Sequence, residues 1–171
     1  MITFKVGDLF RKEQGTRYKY NVDEKCELEL DHPTKANIKF KLTLMKLEDG
    51  INAYIEDLSL TLQFKCERCN IDFDKKIAIK SAERVFYFDK QEEEDPMDVF
   101  YVDMKNSTLT LDEFLRQEII LHFPTIPVHS NSCKGLCPKC GINLNEKTCN
   151  CTKDDSDDPK QLAILKKLYN A

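Results

Sequence analysis

The chain has 171 residues, of which 41% are hydrophobic, and this is enough for the core of one domain of ordinary size. Charged residues make up 33% of the chain and leave a net charge of −4. No stretch approaches the roughly 20 consecutive apolar residues of a membrane-spanning helix, and the N-terminus lacks the basic and apolar regions of a signal peptide. We therefore expect a cytoplasmic protein, in which cysteines stay reduced and bind metal rather than form disulfides.

The acidic charge is concentrated in two runs. Glu92–Asp95 and Asp154–Asp158 together hold eight acidic residues, which we interpret as solvated loops. The rest of the chain has 26 basic and 22 acidic residues, a balance of +4. The body of the protein can therefore carry a basic face although the whole chain is acidic.

Several stretches alternate apolar and polar residues, a pattern typical of strands that bury one face. The alternation is clearest at residues 38–44 and 58–64, and the hairpin signal Glu48–Gly50 lies between them. Because Cys66–Cys69 is followed by another alternating stretch, it is predicted at the tip of a β-hairpin. Further strands are predicted at residues 2–6, 17–22, 71–79, 84–88 and 99–104.

Two helices are predicted after these strands. Thr110–Glu113 has the form of a capping box, and the helix that it opens ends before Pro124. Its apolar face is predicted to hold Leu111, Phe114, Leu115, Ile119 and His122. A second start signal, Asp158–Pro159, precedes an apolar stripe formed by Leu162, Leu165, Leu168 and Tyr169.

The predicted fold class is α+β, a mostly antiparallel β-sheet or partly open barrel with two helices and a C-terminal zinc-knuckle appendage. We divide the chain into a β-rich domain with one helix at residues 1–128, a cysteine-rich zinc-binding segment at 129–153, and an acidic loop with an amphipathic helix at 154–171.

The cysteines carry the strongest functional signal, because five of the eight lie within the nineteen residues 133–151. Cys137 and Cys140 form a Cys-x-x-Cys knuckle in which Gly141 can adopt a positive φ. Cys149 and Cys151 follow after eight residues and complete four thiolates, the ligand set of a structural zinc ion. A disulfide between neighbouring thiols has poor geometry.

A second zinc site is predicted from the cysteines that the first site leaves over. Cys66, Cys69 and Cys133 lack a fourth ligand, and His129 lies four residues before Cys133. A rival grouping places Cys66 and Cys69 with the knuckle at 137–140, but it leaves the last two cysteines unused. We interpret Cys26 as an ordinary buried cysteine.

Catalysis is not predicted. A redox Cys-x-x-Cys opens a helix, whereas Cys66–Cys69 is followed by a strand pattern. A catalytic zinc keeps an open position, and both proposed sites are closed. The five glycines are too few and too scattered for a phosphate-binding loop.

The chain resembles the YceD family from about Ile38 to the C-terminus. The resemblance is carried by the cysteine pair at 66–69, the segment Glu118–His129, the knuckle segment that begins at Cys133, and Asp158–Lys160 followed by spaced leucines. It implies a non-enzymatic factor in the accumulation or maturation of large-subunit ribosomal RNA. Many relatives carry cysteine in place of His129, and others lack most of these cysteines, which implies that the metal is a structural brace in one branch.

The implied partners are large-subunit ribosomal RNA or a pre-ribosomal particle, with no DNA and no membrane. In this role basic side chains bind phosphates, and Tyr18 and Tyr20 stack on bases. The candidate RNA contacts are Arg17, Lys19, Lys39, Lys41, Lys65, Arg68, Lys75, Lys76, Lys80 and Arg84.

Two alternatives stay open. One is a protein-interaction module that holds a ribosomal protein without touching RNA, and the other is a thiol redox protein. Lys134, Lys139 and Lys147 have a competing use, because they can offset the negative charge of a four-thiolate zinc site.

Overall fold

The structure is a computed structural model that describes residues 1–30, 33–89 and 99–151. These residues form seven strands and two helices. In chain order they are β1 (Thr3–Lys5), α1 (Gly7–Phe10), β2 (Arg17–Glu29), β3 (Pro33–Lys46), β4 (Gly50–Lys65), β5 (Asp72–Tyr87), β6 (Phe100–Tyr101), β7 (Thr108–Thr110) and α2 (Asp112–Leu121). The predicted class is confirmed: a mostly antiparallel sheet curls into a half-barrel with two helices and a C-terminal cysteine cluster.

The main sheet has the strand order β2-β3-β4-β5-β6. Its first four strands are antiparallel neighbours, and only the short β6 runs parallel to β5. A separate antiparallel ladder joins β1 to β7. The two long hairpins β2–β3 and β4–β5 therefore make up most of the fold.

The alternating sequence gives the sheet one apolar and one polar face. Ile38, Phe40 and Leu42 on β3 are buried, whereas Lys39 and Lys41 between them are exposed. Since successive side chains of a strand point to opposite faces, all the apolar residues of β3 reach the same core. This inner face packs against α2, which buries Phe114, Leu115 and Ile119.

A β-bulge contributes to the curl of the sheet. Lys41 pairs with Glu56 and Lys39 pairs with Ser59, so β4 has one more residue than β3 in this stretch. Asp57 takes a φ of 54° there. An extra residue of this kind bends the strand and increases its local twist, which helps the sheet to wrap around α2.

Arg84 ties the sheet to the helix. Its Nη2 lies 3.4 Å from Oε1 of Glu118 on α2. The guanidinium also stacks on Phe100 and Phe114, at 5.4 and 5.7 Å from the ring centroids. This RNA-contact candidate is therefore directed to the inner side of the sheet, where it holds α2 in place.

The predicted capping box is wrong. Helix α2 begins at Asp112, and the residue before it, Leu111, makes no side-chain cap. Thr110 belongs to β7, because the β1–β7 ladder uses it. The Asp112 carboxylate accepts the backbone N–H of Ile2 at 2.7 Å, so the first residue of the helix is bonded to a partner more than 100 residues away in sequence.

His122 was predicted on the apolar face of this helix, but it is exposed. It follows the last helical residue, and its Nδ1 lies 2.8 Å from the carbonyl oxygen of Glu118. The predicted acidic loops and the predicted C-terminal helix with its apolar stripe lie outside the described residues.

Replacing Arg84 with alanine is expected to destabilise the fold by about 1–3 kcal/mol, because it leaves the partly buried Glu118 carboxylate without its partner. Urea unfolding measures this. Arg116→Ala is the matched control, since its ion pair with Glu113 is exposed and should cost less than about 0.5 kcal/mol. Equal losses in the two variants would show that Arg84 does not hold the helix.

Candidate metal centres

The first cluster joins Cys66, Cys69, His129 and Cys133, whose ligand atoms all lie within 4.8 Å of one another. His129 Nδ1 lies 3.4 Å from the sulfurs of both Cys66 and Cys69. The sulfurs of Cys66 and Cys133 are 3.9 Å apart. Tetrahedral zinc requires separations of about 3.8 Å between two sulfurs and about 3.6 Å between sulfur and nitrogen. These three separations are close to the tetrahedral values, so the four side chains could hold a metal ion between them.

The tip of the β4–β5 hairpin positions two of these ligands. The N–H of Asn70 donates to the carbonyl of Cys66, and the N–H of Cys66 donates to that of Ile71, both at 2.8 Å. Asn70 takes a φ of 61° to close this turn, a conformation that asparagine tolerates better than most residues. The turn holds the two thiols side by side at the end of a rigid hairpin.

The segment after α2 supplies the other two ligands and is bonded to the same tip. The N–H of Glu67 donates to the carbonyl of Pro127 at 2.9 Å. The guanidinium of Arg68 donates to the carbonyls of Asn131 and Cys133, at 3.3 and 3.2 Å. Arg68 was predicted to contact RNA, and in the structure it braces the loop that carries Cys133.

The second cluster joins Cys137, Cys140, Cys149 and Cys151, again within 4.8 Å. Its knuckle repeats the bonds of the hairpin tip. The N–H of Gly141 donates to the carbonyl of Cys137, and the N–H of Cys137 donates to that of Ile142, both at 2.8 Å. The prediction that Gly141 adopts a positive φ is confirmed, at 71°.

The two clusters differ in exposure. Cys66, Cys69 and Cys133 are between 1% and 6% exposed. In the second cluster, Cys140 and Cys151 are exposed to solvent. Solvent and chelators therefore have more direct access to the second cluster than to the first, in which His129 is half-buried.

The thiols of each cluster lie close together, and their pKa values are shifted in opposite directions. Burial disfavours the Cys66 thiolate, but hydrogen bonds from His129 and from backbone amides outweigh burial and lower the pKa of Cys66 to about 5. Burial and the neighbouring thiols raise the pKa of Cys69 to about 11. In the second cluster, contact with Cys140 and burial raise the pKa of Cys151 to about 12. A bound divalent cation would relieve this repulsion and favour the thiolates together.

The structure brings together the two sets of four residues that the sequence analysis grouped, and not the rival grouping. All eight cysteines are free thiols. Cys26 is buried in the main core, as predicted. Each cluster offers four side-chain ligand atoms and could hold a metal ion.

The candidate RNA contacts are spread over the outer face of the sheet and the hairpin tip. Lys39 and Lys41 are paired with Asp23 and Asp57, each at 2.8 Å. Acidic residues such as Asp74 are exposed on the same strands, so this face is nearly balanced in charge. The other exposed candidates are Arg17, Lys19, Lys65, Arg68, Lys76 and Lys80, and Lys75 is half-buried.

A cleft on the outer face of the sheet is lined by two of these candidate RNA contacts. It encloses about 240 Å³, and its lining consists of Arg17, Lys19, Thr43, Met45, Asn52, Tyr54 and Glu56. Arg17 and Lys19 were predicted from the sequence as RNA contacts, whereas Tyr54 was not. The signal available in the sequence was the outward position of Tyr54 in an alternating strand. Strand pairing is needed to show that Arg17 and Lys19 on β2 line the same cleft as Tyr54.

The fold and the two clusters define a class: a small α+β protein with a curled sheet and two cysteine-rich clusters that could each hold a metal ion. A family model described as "Large ribosomal RNA subunit accumulation protein YceD" matches residues 57–169, which include both clusters. The chain belongs to the YceD family.

One curated relative is the Arabidopsis thaliana protein "Large ribosomal RNA subunit accumulation protein YCED homolog 1, chloroplastic". It is 31% identical over 49 residues, which are 29% of this chain and 15% of that protein. The match thus spans a small part of the relative's length. No solved structure matches the chain. Among the described residues, no helix is both long and apolar enough to span a membrane.

Metal content measures the grouping directly. We expect two zinc ions per wild-type chain and one in each of the variants Cys66→Ser and Cys149→Ser, because each removes a ligand from one cluster only. Cys26→Ser is the matched control and should keep both ions. Loss of both ions in each ligand variant, with intact folding, would show that the clusters are not separate sites.

Proposed function

We propose that the chain is a non-enzymatic factor in the accumulation and maturation of large-subunit ribosomal RNA. The observation that carries this proposal is the family match, which extends from residue 57 in β4 to residue 169. The description of that family names the accumulation of the large ribosomal RNA subunit. The short similarity to a relative with the same description supports it. The expected partner is the large-subunit ribosomal RNA, free or in a pre-ribosomal particle.

In this proposal zinc fills both clusters and has a structural role. Sets of three thiolates with one imidazole, or of four thiolates, favour zinc among common cellular ions. All four positions are protein ligands, so no site is left for a water or a substrate. The first ion would fix the hairpin tip against the segment after α2, and the second would fold residues 137–151.

We further propose that RNA contacts the outer face of the sheet at the cleft beside Tyr54. Arg17 and Lys19 are exposed there, and neither forms an ion pair with any described residue. They are therefore more available to phosphates than Lys39 and Lys41, which are already paired. The aromatic ring of Tyr54 in the same cleft offers a surface on which an unpaired base can stack.

Depletion of the protein in its native cell tests the proposed role. We expect the ratio of large-subunit to small-subunit ribosomal RNA to fall and precursor particles to accumulate, because maturation of the large subunit would stall. The wild-type gene should restore the ratio. An unchanged ratio in fully depleted cells would contradict the proposal, and restoration by a variant that lacks both metal sites would contradict the structural role of zinc.

Binding to large-subunit RNA tests the cleft. The double variant Arg17→Ala/Lys19→Ala should bind about tenfold more weakly, and the slope of log K against log salt should decrease by about 1–2, since two phosphate contacts are lost. The matched control Lys39→Ala/Lys41→Ala removes the same charge from pairs that are already neutralised, so its loss should be smaller. Equal losses would place the RNA contact elsewhere on the protein.

A further inference from the structure

We propose that the two clusters form one coupled metal unit in which Asn145 is the positioning residue that connects them. Asn145 belongs to the loop between Cys140 and Cys149, but its side chain contacts the first cluster. Metal in the second cluster would therefore raise the metal affinity of the first. This inference rests on the proposed occupancy of both clusters and adds an order in which they gain and lose metal.

The contact uses both ends of one amide. Nδ2 of Asn145 lies 3.4 Å from the sulfur of Cys133, and its Oδ1 accepts the N–H of Lys134 at 2.9 Å. The first bond directs a hydrogen toward a sulfur that would carry negative charge as a metal ligand. Hydrogen bonds of this kind orient a ligand and tune its affinity for the metal.

Asn145 is in turn held by its own loop. Its N–H and its Nδ2 both donate to Oδ1 of Asn143, at 3.0 and 2.8 Å. Asn143 donates to Glu146 at 2.9 Å and forms an isolated β-bridge with Leu136. A metal ion that closes the loop between Cys140 and Cys149 would add to the order that these bonds give the loop.

The chain between the clusters is fixed on both sides as well. The N–H of Leu136 donates to the carbonyl of Arg68 at 3.0 Å, and the N–H of Leu144 donates to the carbonyl of Gly135 at 2.9 Å. Gly135 has a φ of 77°, and a Cβ there would lie 3.1 Å from the carbonyl oxygen of Arg68. The glycine thus lets this connection approach the hairpin tip, and a shift in either cluster is transmitted to the other.

The difference in exposure predicts the order in which the two clusters lose their metal ions. In the first cluster the three thiols are buried and His129 is half-buried, whereas two of the four thiols in the second are exposed to solvent. A chelator should therefore remove the second ion first. Once the second ion is lost, the coupling predicts that the first ion is bound more weakly than in the fully loaded protein.

Zinc competition with a chromophoric chelator on the full chain tests this inference. In Cys149→Ser, which keeps all four ligands of the first cluster, zinc affinity at that cluster should fall by roughly tenfold or more relative to wild type. Asn145→Ala keeps all eight ligands and should weaken the first cluster by a similar factor. Asn150→Ala is the matched control, since it changes an exposed asparagine between two ligands of the second cluster.

The outcomes separate this inference from the proposed function. Suppose that wild type binds two zinc ions. A first-cluster zinc affinity in Cys149→Ser within twofold of the wild-type value, or equal first-cluster affinities in Asn145→Ala and Asn150→Ala, would then overturn the coupling and leave the proposed structural zinc intact. Wild-type protein that binds no zinc would overturn both. Far-UV circular dichroism of each variant, compared with wild type, shows whether the sheet is intact, so that loss of affinity is not a consequence of unfolding.

Discussion

The arrangement of this protein depends on one long-range contact: the tip of the β4–β5 hairpin meets the segment that follows α2. Sixty residues separate Cys69 from His129 in the chain, yet their ligand atoms lie 3.4 Å apart. Backbone bonds such as that from Glu67 to Pro127 reinforce the contact, but they are few. Four side chains arranged around a common centre give a metal ion the means to hold the sheet and the cysteine-rich segment in one relative pose.

Local sequence patterns predicted the parts of the fold that depend on local physics. Alternation predicted most of the strand residues, because one face of most of the sheet is buried, and the spacing within Cys137–Cys140 predicted a knuckle because four residues close the turn. The start of α2 was missed because Thr110 pairs with β1 in the folded chain and Asp112 contacts Ile2, and neither partner is close in sequence. The contact of Asn145 with Cys133 was missed for the same reason: neither residue indicates the other until the chain is folded. The division into three segments stays a prediction.

The charges of the outer face follow from the same sheet. Strand pairing places Lys39 beside Asp23, so cations that look available in the sequence are partly neutralised by their neighbours. The pairing also places Arg17 and Tyr54 in the lining of one cleft, although β3 lies between their strands. The proposed RNA surface is therefore smaller than the number of lysines suggests, and its binding should depend on a cleft with defined shape rather than on net charge alone.

X-ray absorption at the zinc edge of purified, chelator-free protein tests the central claim most directly. If both clusters hold zinc as proposed, the average first shell is about 3.5 sulfurs at about 2.3 Å and half a nitrogen at about 2.0 Å, which corresponds to seven thiolates and one imidazole shared by two ions. A shell dominated by oxygen or nitrogen, or a folded protein without zinc or another bound metal ion, would contradict the account.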